Sequence, residues 1–308
     1  MRSEMYVSMG MFHEAILDLD SANELTPTLK DQTMYLVNRA TCYGGMHRHD
    51  LALADYNAAI KSNSDDAQLF FRRSLVHCIR GEFALALGDL NHTINVFSCD
   101  RFLDYFTRGA VSMSLAMEAE SIDVIQPTNP FAPSAVFEMS TTKLDPMYGL
   151  LAHGSYRSKV AYKLAYRALE NFNFAIKLFR AAVDGDYQHA LYREYGLSWF
   201  ALGKYTKAVD SFKLALSLAP SNEDAAEISL YRAMASKCER KPDFERIMDD
   251  INKAIELNED ARAYYTRAEM FLDIGSVNKA IADLNTVIAL KGNDTTKEGS
   301  RISCAGRQ

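Results

Sequence analysis

The stretch YREYGLSWFALGKYTKAVDSFKLALSLAP, residues 192–220, decides the fold. Its aromatic and other apolar residues recur three or four apart, at Tyr192, Tyr195 and Trp199 and again at Tyr205, Ala208, Phe212 and Ala215. That spacing places each set on one face of a helix. A first helix is expected over about 190–202 and a second over about 206–218, with Gly203 closing the first because glycine accepts the left-handed conformation after a helix. Pro220 stands just past the second, where proline cannot continue a helix. Gly196 and Ala208 are small, so two antiparallel helices can approach closely there while the aromatics fill the remaining space. A lone pair cannot bury such a stripe, so the pattern must recur.

It does recur. Ala40, Ala52, Tyr56 and Ala59 repeat the phase, then Ser74, Ala86, Leu90 and Thr93, and near the end Ala268, Gly275, Ala280, Leu284 and Val287. In each copy the small residue of the first helix precedes that of the second by 12. Looser copies are read at Ala175, Phe179 and Ala182, and at Ile251, Ala254 and Ile255, where Lys241-Pro242-Asp243 lengthens the turn. Gly10, Phe12, Ala15, Leu19, Ala22 and Pro27 fit the end of a further repeat whose first helix is incomplete. The residues expected at helix crossings are Ala15, Ala40, Ala52, Ser74, Ala86, Ala175, Gly196, Ala208, Phe212, Ala215, Ala254, Ala268 and Ala280.

The segment Tyr192 to Pro220 resembles the tetratricopeptide pattern, whose period is 34 residues. Tyr192 stands where that pattern has tryptophan, Trp199 where it has tyrosine, and Tyr195 replaces its leucine; Gly196, Ala208, Phe212 and Pro220 match. The resemblance implies an all-α fold, a right-handed superhelical solenoid of antiparallel helix pairs, here interrupted near the middle. Phe102 to Met117 suits a first helix with Arg108-Gly109 in phase, but Pro127, Pro130 and Pro133 follow and block the second. The expected organisation is a first sub-array at 1–118 (a partial repeat, repeats near 33–66 and 67–100, and a first helix at 102–118), then an insertion or degenerate helix at 119–145. A second sub-array follows at 146–292, with repeats near 156–188, 189–222, 226–260 and 261–292, and 293–308 read as a disordered tail. The short first repeat leaves room for a longer protein of which this chain is part.

Composition narrows the function. The 308 residues carry 34 basic and 40 acidic side chains, a formal net charge of -6, and no basic block stands out, so no nucleic-acid partner is expected. No apolar run approaches the ~18 residues of a membrane span. Five cysteines, an odd number without a C-x-x-C pair, point to free thiols in a reducing, cytoplasmic setting. Phosphate-loop, zinc-protease, nucleophile-elbow and dinucleotide motifs are absent from the sequence, so no enzyme activity, cofactor or metal is expected. His47 and His49 read as turn residues, and Asn129-Pro130-Phe131 as a turn that also matches a short adaptor-binding peptide.

The resemblance implies a protein partner, an extended or helical peptide held on the concave face that first helices line. In the first sub-array this face falls on Val37, Asn38, Thr41, Phe71, Arg72, Leu75, Phe106, Ala110 and Met113; in the second, on Arg193, Leu197, Phe200, Tyr265 and Glu269. Some family members clamp chaperone C-terminal carboxylates with two cations and two asparagines. Asn38 and Arg72 match that clamp, but Gln68 and Glu4 depart from it, so a chaperone C-terminus is not the expected ligand. The expected function is a non-catalytic scaffold or adaptor. The alternatives are a structural subunit of a larger assembly, ciliary or transport for example, or an accessory region of a longer protein.

Overall fold

The computed structural model describes residues 2–25, 29–97, 101–125, 158–179 and 188–290, and among them every regular element is an α-helix. In chain order these are α1 (Arg2–Ser8), α2 (Phe12–Leu25), α3 (Leu29–Gly45), α4 (His49–Ser62), α5 (Ala67–Ile79), α6 (Phe83–Asn95) and α7 (Phe102–Ile125). Then follow α8 (Lys159–Leu178), α9 (Gln188–Ala201), α10 (Tyr205–Ser217), α11 (Asn222–Lys237), α12 (Phe244–Leu257), α13 (Ala261–Asp273) and α14 (277–290). They form two compact units: Met1–Glu118 with Glu170–Phe179, and Ala119–Leu169 with Arg180–Gln308. Within each unit neighbouring helices pack as antiparallel pairs, and adjacent pairs pack on one another. The proline-bearing stretch, Ala182 and the tail lie outside the described residues.

In five of the pairs the turn is set by one backbone position, seven residues after the small residue of the first helix. Gly10, Gly81, Gly203 and Gly275 stand there with φ between 69° and 74°. The amide after each reaches back into the helix, as from Lys204 to the carbonyl of Trp199 at 2.9 Å and from Glu82 to that of His77 at 2.9 Å. This is the bonding of a left-handed helix cap. In the α3–α4 turn the same position is His47, at φ 57°. A side chain there carries the steric penalty that glycine avoids.

Ala15, Ala40, Ala52, Ser74, Ala86, Ala175, Gly196, Ala208, Phe212, Ala215, Ala254, Ala268 and Ala280 are all buried. Gly196 shows why: a Cβ added there would lie 2.6 Å from the ring of Phe212. The ring occupies the place a side chain would take.

The interruption has a different form from the one expected. A Cβ at Gly109 of α7 would meet the ring of Phe172 of α8 at 2.7 Å, the same crossing as Gly196 on Phe212. Ala168, Phe172 and Ala175 therefore hold the places of Ala208, Phe212 and Ala215, and all three are buried. The second helix of this repeat does not fail. It arrives 59 residues after Gly109 instead of 12, with 47 residues interposed. The looser copy set on Ala175, Phe179 and Ala182 was seven residues out of phase. Residues Glu170–Phe179, expected in the second sub-array, pack in the first unit. α7 also runs on to Ile125, beyond the expected end at 118.

One ion pair recurs in register with these crossings. The residue before the small one is Arg39, Arg73, Arg232 or Arg267. Each guanidinium grips a buried aspartate of the second helix with two nitrogens: Asp55, Asp89, Asp250 and Asp283. Arg2 pairs with Asp18 at the 16-residue spacing that all of these share except Arg232 and Asp250, which are 18 apart. In the split repeat Arg108 donates to Asn171 at 2.8 Å across 63 residues, the usual 16 plus the interposed 47. Several of these arginines also reach back to the preceding pair: Arg73 to Asn57 at 2.7 Å, Arg108 to Asn91 at 3.2 Å and Arg267 to Asn252 at 2.9 Å. Each such arginine ties three helices.

Two outcomes follow for unfolding by urea. Gly109→Val overfills the crossing and should cost roughly 1–3 kcal/mol. Phe172→Ala alone should cost about 3–5 kcal/mol, and the double variant should lose clearly less than the two costs added, because the clash disappears with the ring. His47→Gly should raise stability by several tenths to about 1 kcal/mol, since glycine adopts the left-handed turn without penalty.

Candidate functional site: the first-helix faces

The first helices α3, α5 and α7 of unit 1 present a largely uncharged face. On α5, Gln68, Arg72, Leu75 and Ile79 follow one stripe at helical spacing; Arg72 is exposed and has no ion-pair partner, Leu75 is 39% exposed and Ile79 is 66% exposed. Met34 of α3 adds another exposed apolar side chain. Beneath them, Val37 packs on the core of Ala40, Ala52, Tyr56 and Val76, and Phe71 on that of Ala86, Leu90 and Val111. Thr41 turns inward, its hydroxyl 2.9 Å from the Val37 carbonyl. Asn38 and Ala110 are half-buried. Phe106 stacks on Phe102 and leans on Phe172, so it belongs as much to the core as to the face.

The residues assigned to a groove do not all line one. Met113, Leu197 and Phe200 are buried among their own helices and closed to a partner. Met113 and Phe200 stand four residues after Gly109 and Gly196, one turn along the crossing side, and complete the core; Leu197 holds the repeat position of Leu75 but is only 2% exposed.

Unit 2 fills the corresponding face with its own charges. Arg193 of α9 meets Glu227 of α11 at 3.0 Å and Glu194 at 3.1 Å. Burial works against the Arg193 charge, but the two carboxylates outweigh it and raise its pKa above the ordinary guanidinium value. The Tyr231 hydroxyl also donates to Glu227, at 3.0 Å. Lys237 of α11 reaches Glu269 and Asp273 of α13 at 3.4 and 3.3 Å. Burial, with Glu269 beside it, raises the Tyr265 pKa. Arg193, Tyr265 and Glu269 are therefore linked to neighbours instead of standing free. A cleft of about 210 Å³ lies beside this lattice, lined by Glu223, Asp224, Glu227, Asp260 and Arg262 among others.

Reactive chemistry has little footing. Among the described residues no three His, Cys, Asp or Glu side chains cluster as metal ligands, and His47 and His49 meet ring edge to face at 6.0 Å. Burial pushes the Cys78 thiol up to about 11 and raises those of Cys42 and Cys238. A raised thiol pKa leaves little thiolate to act as a nucleophile.

With the geometry in place, comparison with known proteins gives a consistent answer. Tetratricopeptide-repeat family models match residues 38–91, 164–223 and 261–294. The second of these spans begins in α8 and so includes the displaced helix. The chain is a tetratricopeptide-repeat protein. As a member of that family it has the architecture of a protein-interaction scaffold. The mitochondrial import receptor subunit TOM70 of Rattus norvegicus is 28% identical over 98 residues, which are 32% of this chain. The match spans only 16% of that receptor's length. Among solved structures, a tetratricopeptide protein of Cytophaga hutchinsonii is similar at TM-score 0.55 and 16% identity, over 94% of both chains. The APC/C hetero-tetramer Cut9-Hcn1 is similar at TM-score 0.57 and 14% identity, over 94% of this chain and 46% of that one. YrrB, titled a tetratricopeptide protein with an unusual peptide-binding site, gives 0.52 at 14% identity, over 81% and 97%. At such identities these structures speak for the fold alone.

Sequence reasoning about this tetratricopeptide face missed the cross-helix lattice. Its signal was present: Arg193 and Glu227 are 34 residues apart, one repeat, so charges of opposite sign fall side by side on adjacent first helices. Glu227→Ala should cost about 1.5–3 kcal/mol in urea unfolding, because it strips a charged hydrogen bond from Arg193. Lys237→Ala, at the more open end, should cost less than about 1 kcal/mol.

Proposed function

We infer that the first-helix face of unit 1 is where this tetratricopeptide scaffold holds a peptide of its partner. The observation that carries the reading is the contrast between the two units. Met34, Leu75 and Ile79 are exposed on the first helices of unit 1, whereas in unit 2 the equivalents of Leu75 are the buried Leu197 and Met234 and the paired Glu269. Exposed apolar side chains aligned on adjacent helices favour a ligand with apolar residues at helical or extended spacing. The free Arg72 in their midst favours a carboxylate within the same ligand. YrrB, whose title describes a peptide-binding site on a tetratricopeptide protein, lends the reading a precedent in fold. No step in this reading calls for catalysis. A cytoplasmic setting goes with it, since Cys42, Cys78 and Cys238 are free thiols. Among the described residues no helix is long and apolar enough to cross a membrane.

The test is affinity purification with the unaltered chain beside Leu75→Asp/Ile79→Asp and beside Arg72→Glu. These side chains are exposed, so the variants should fold, and circular dichroism checks that they do. The double variant should lose the principal partner, and Arg72→Glu should weaken its capture about ten-fold or more if a carboxylate is read there. Retention of every partner by the double variant would refute the groove.

A further inference from the structure

The displaced second helix carries a surface that the repeat does not need. The crossing of the split repeat requires α8 only from about Ala168 onward, yet the helix begins at Lys159. Its first turns read KVAYKLAYR, residues 159–167. Ala161 and Ala165 are buried, which fixes the rotation of the helix. The opposite face is then set: Lys159, Lys163 and Arg167 at four-residue steps, flanked by Tyr162, Tyr166 and Val160, which are 44%, 51% and 60% exposed. Three cations thus line about 12 Å of helix, and the first carboxylate along the chain is Glu170. Lys159 and Lys163 have no ion-pair partner among the described residues. In a chain with a net charge of -6, a cationic strip of this kind with half-open aromatic rings is a local reversal.

We propose that the face formed by Lys159, Tyr162, Lys163, Tyr166 and Arg167 docks an acidic amphipathic helix of a partner protein, separately from the unit 1 groove. The four-residue cation spacing matches carboxylates at the same spacing on a facing helix, as charged pairs flank the seams of coiled coils. The tyrosines and Val160 supply apolar contact that electrostatics alone lacks, with the phenol groups left free to hydrogen-bond at the rim. Nucleic acid fits less well, because the surrounding acidic protein repels a polyanion. An anionic bilayer attracts cations diffusely, and it offers no match to the helical spacing.

The experiment uses the full chain and a fluorescein-labelled peptide of about three heptads, with glutamate at alternating three- and four-residue steps beside a leucine stripe. Anisotropy should show binding that weakens about ten-fold or more between about 50 mM and about 300 mM salt. Lys159→Glu/Lys163→Glu should abolish it, Tyr162→Ser/Tyr166→Ser should weaken it about five-fold or more, and Leu75→Asp/Ile79→Asp should leave it unchanged. Lys159→Ala/Lys163→Ala serves as the second charge variant if the reversal perturbs folding, and it should weaken binding by about ten-fold. The proposal is overturned if the peptide does not bind or binds the charge variants equally. It is likewise overturned if its binding depends on Leu75 and Ile79, or if single-stranded DNA or phosphatidylserine vesicles bind this face while the peptide does not.

Discussion

The fold depends on a ring lying where a side chain is missing. At Gly196 the ring of Phe212 comes so close that even a methyl group would collide, and Gly109 and Phe172 repeat the contact. Interiors are packed as densely as organic crystals, so such a contact does not tolerate slippage by a turn. Once it is made, the neighbouring positions are fixed as well. At Ala40, Ser74, Ala233 and Ala268 the residue before the small one is an arginine that grips an aspartate of the second helix, while Tyr195 and Asn171 stand in that pair at Gly196 and Gly109. At most crossings the residue seven further on takes the left-handed turn. The recurring arginine–aspartate pair and the recurring left-handed glycine are consequences of one crossing geometry.

That dependence explains what could be read from the sequence. Small residues separated by 12 are local, and they announced the pairs built on Ala40 and Ala52, Ser74 and Ala86, Gly196 and Ala208, and Ala268 and Ala280. The split repeat hid because the signal is a spacing, and interposed residues destroy a spacing without touching the contact. Phe172 and Phe179 lie seven residues apart and both have alanines near them, so periodicity alone could not choose the phase. Asn171 made the choice harder, since it stands where the other repeats have aspartate. The groove was less legible than the fold for a related reason. Leu75 and Leu197 hold the same position in the repeat, and only the size of the surrounding side chains leaves one exposed and buries the other.

The two units use the same face in opposite ways. In unit 2 the charges on adjacent first helices satisfy one another: Arg193 with Glu227, Lys237 with Glu269 and Asp273. Displacing them would leave a half-buried charge without a partner, which is costly in a poorly solvated site. Unit 1 has no such lattice among its described residues. On its α5 stripe the exposed side chains are Gln68, the apolar Leu75 and Ile79, and Arg72, which has no ion-pair partner among the described residues, so covering them breaks no ion pair already made. The two faces thus differ in what each would have to give up if it were covered.

The split repeat shows how strong the crossing is. The cost of closing a chain grows only logarithmically with its length, so the 47 interposed residues, counted entirely as connection, add at most about 2 kcal/mol. A fully buried phenylalanine at a close crossing is worth about 3–5 kcal/mol when removed, and Arg108 adds its hydrogen bond to Asn171. The local contact therefore outweighs the entropy of the long connection, and the displaced helix is held in register. Interposition inside a pair is tolerated for the same reason that interposition between pairs would be. Each crossing is stabilised by its own two helices and needs no help from the turn that joins them. Residues such as Lys159, Tyr162 and Lys163, which lie ahead of the crossing on α8, are consequently free of the repeat's packing constraints. They can vary with a partner's surface while Ala168, Phe172 and Ala175 cannot.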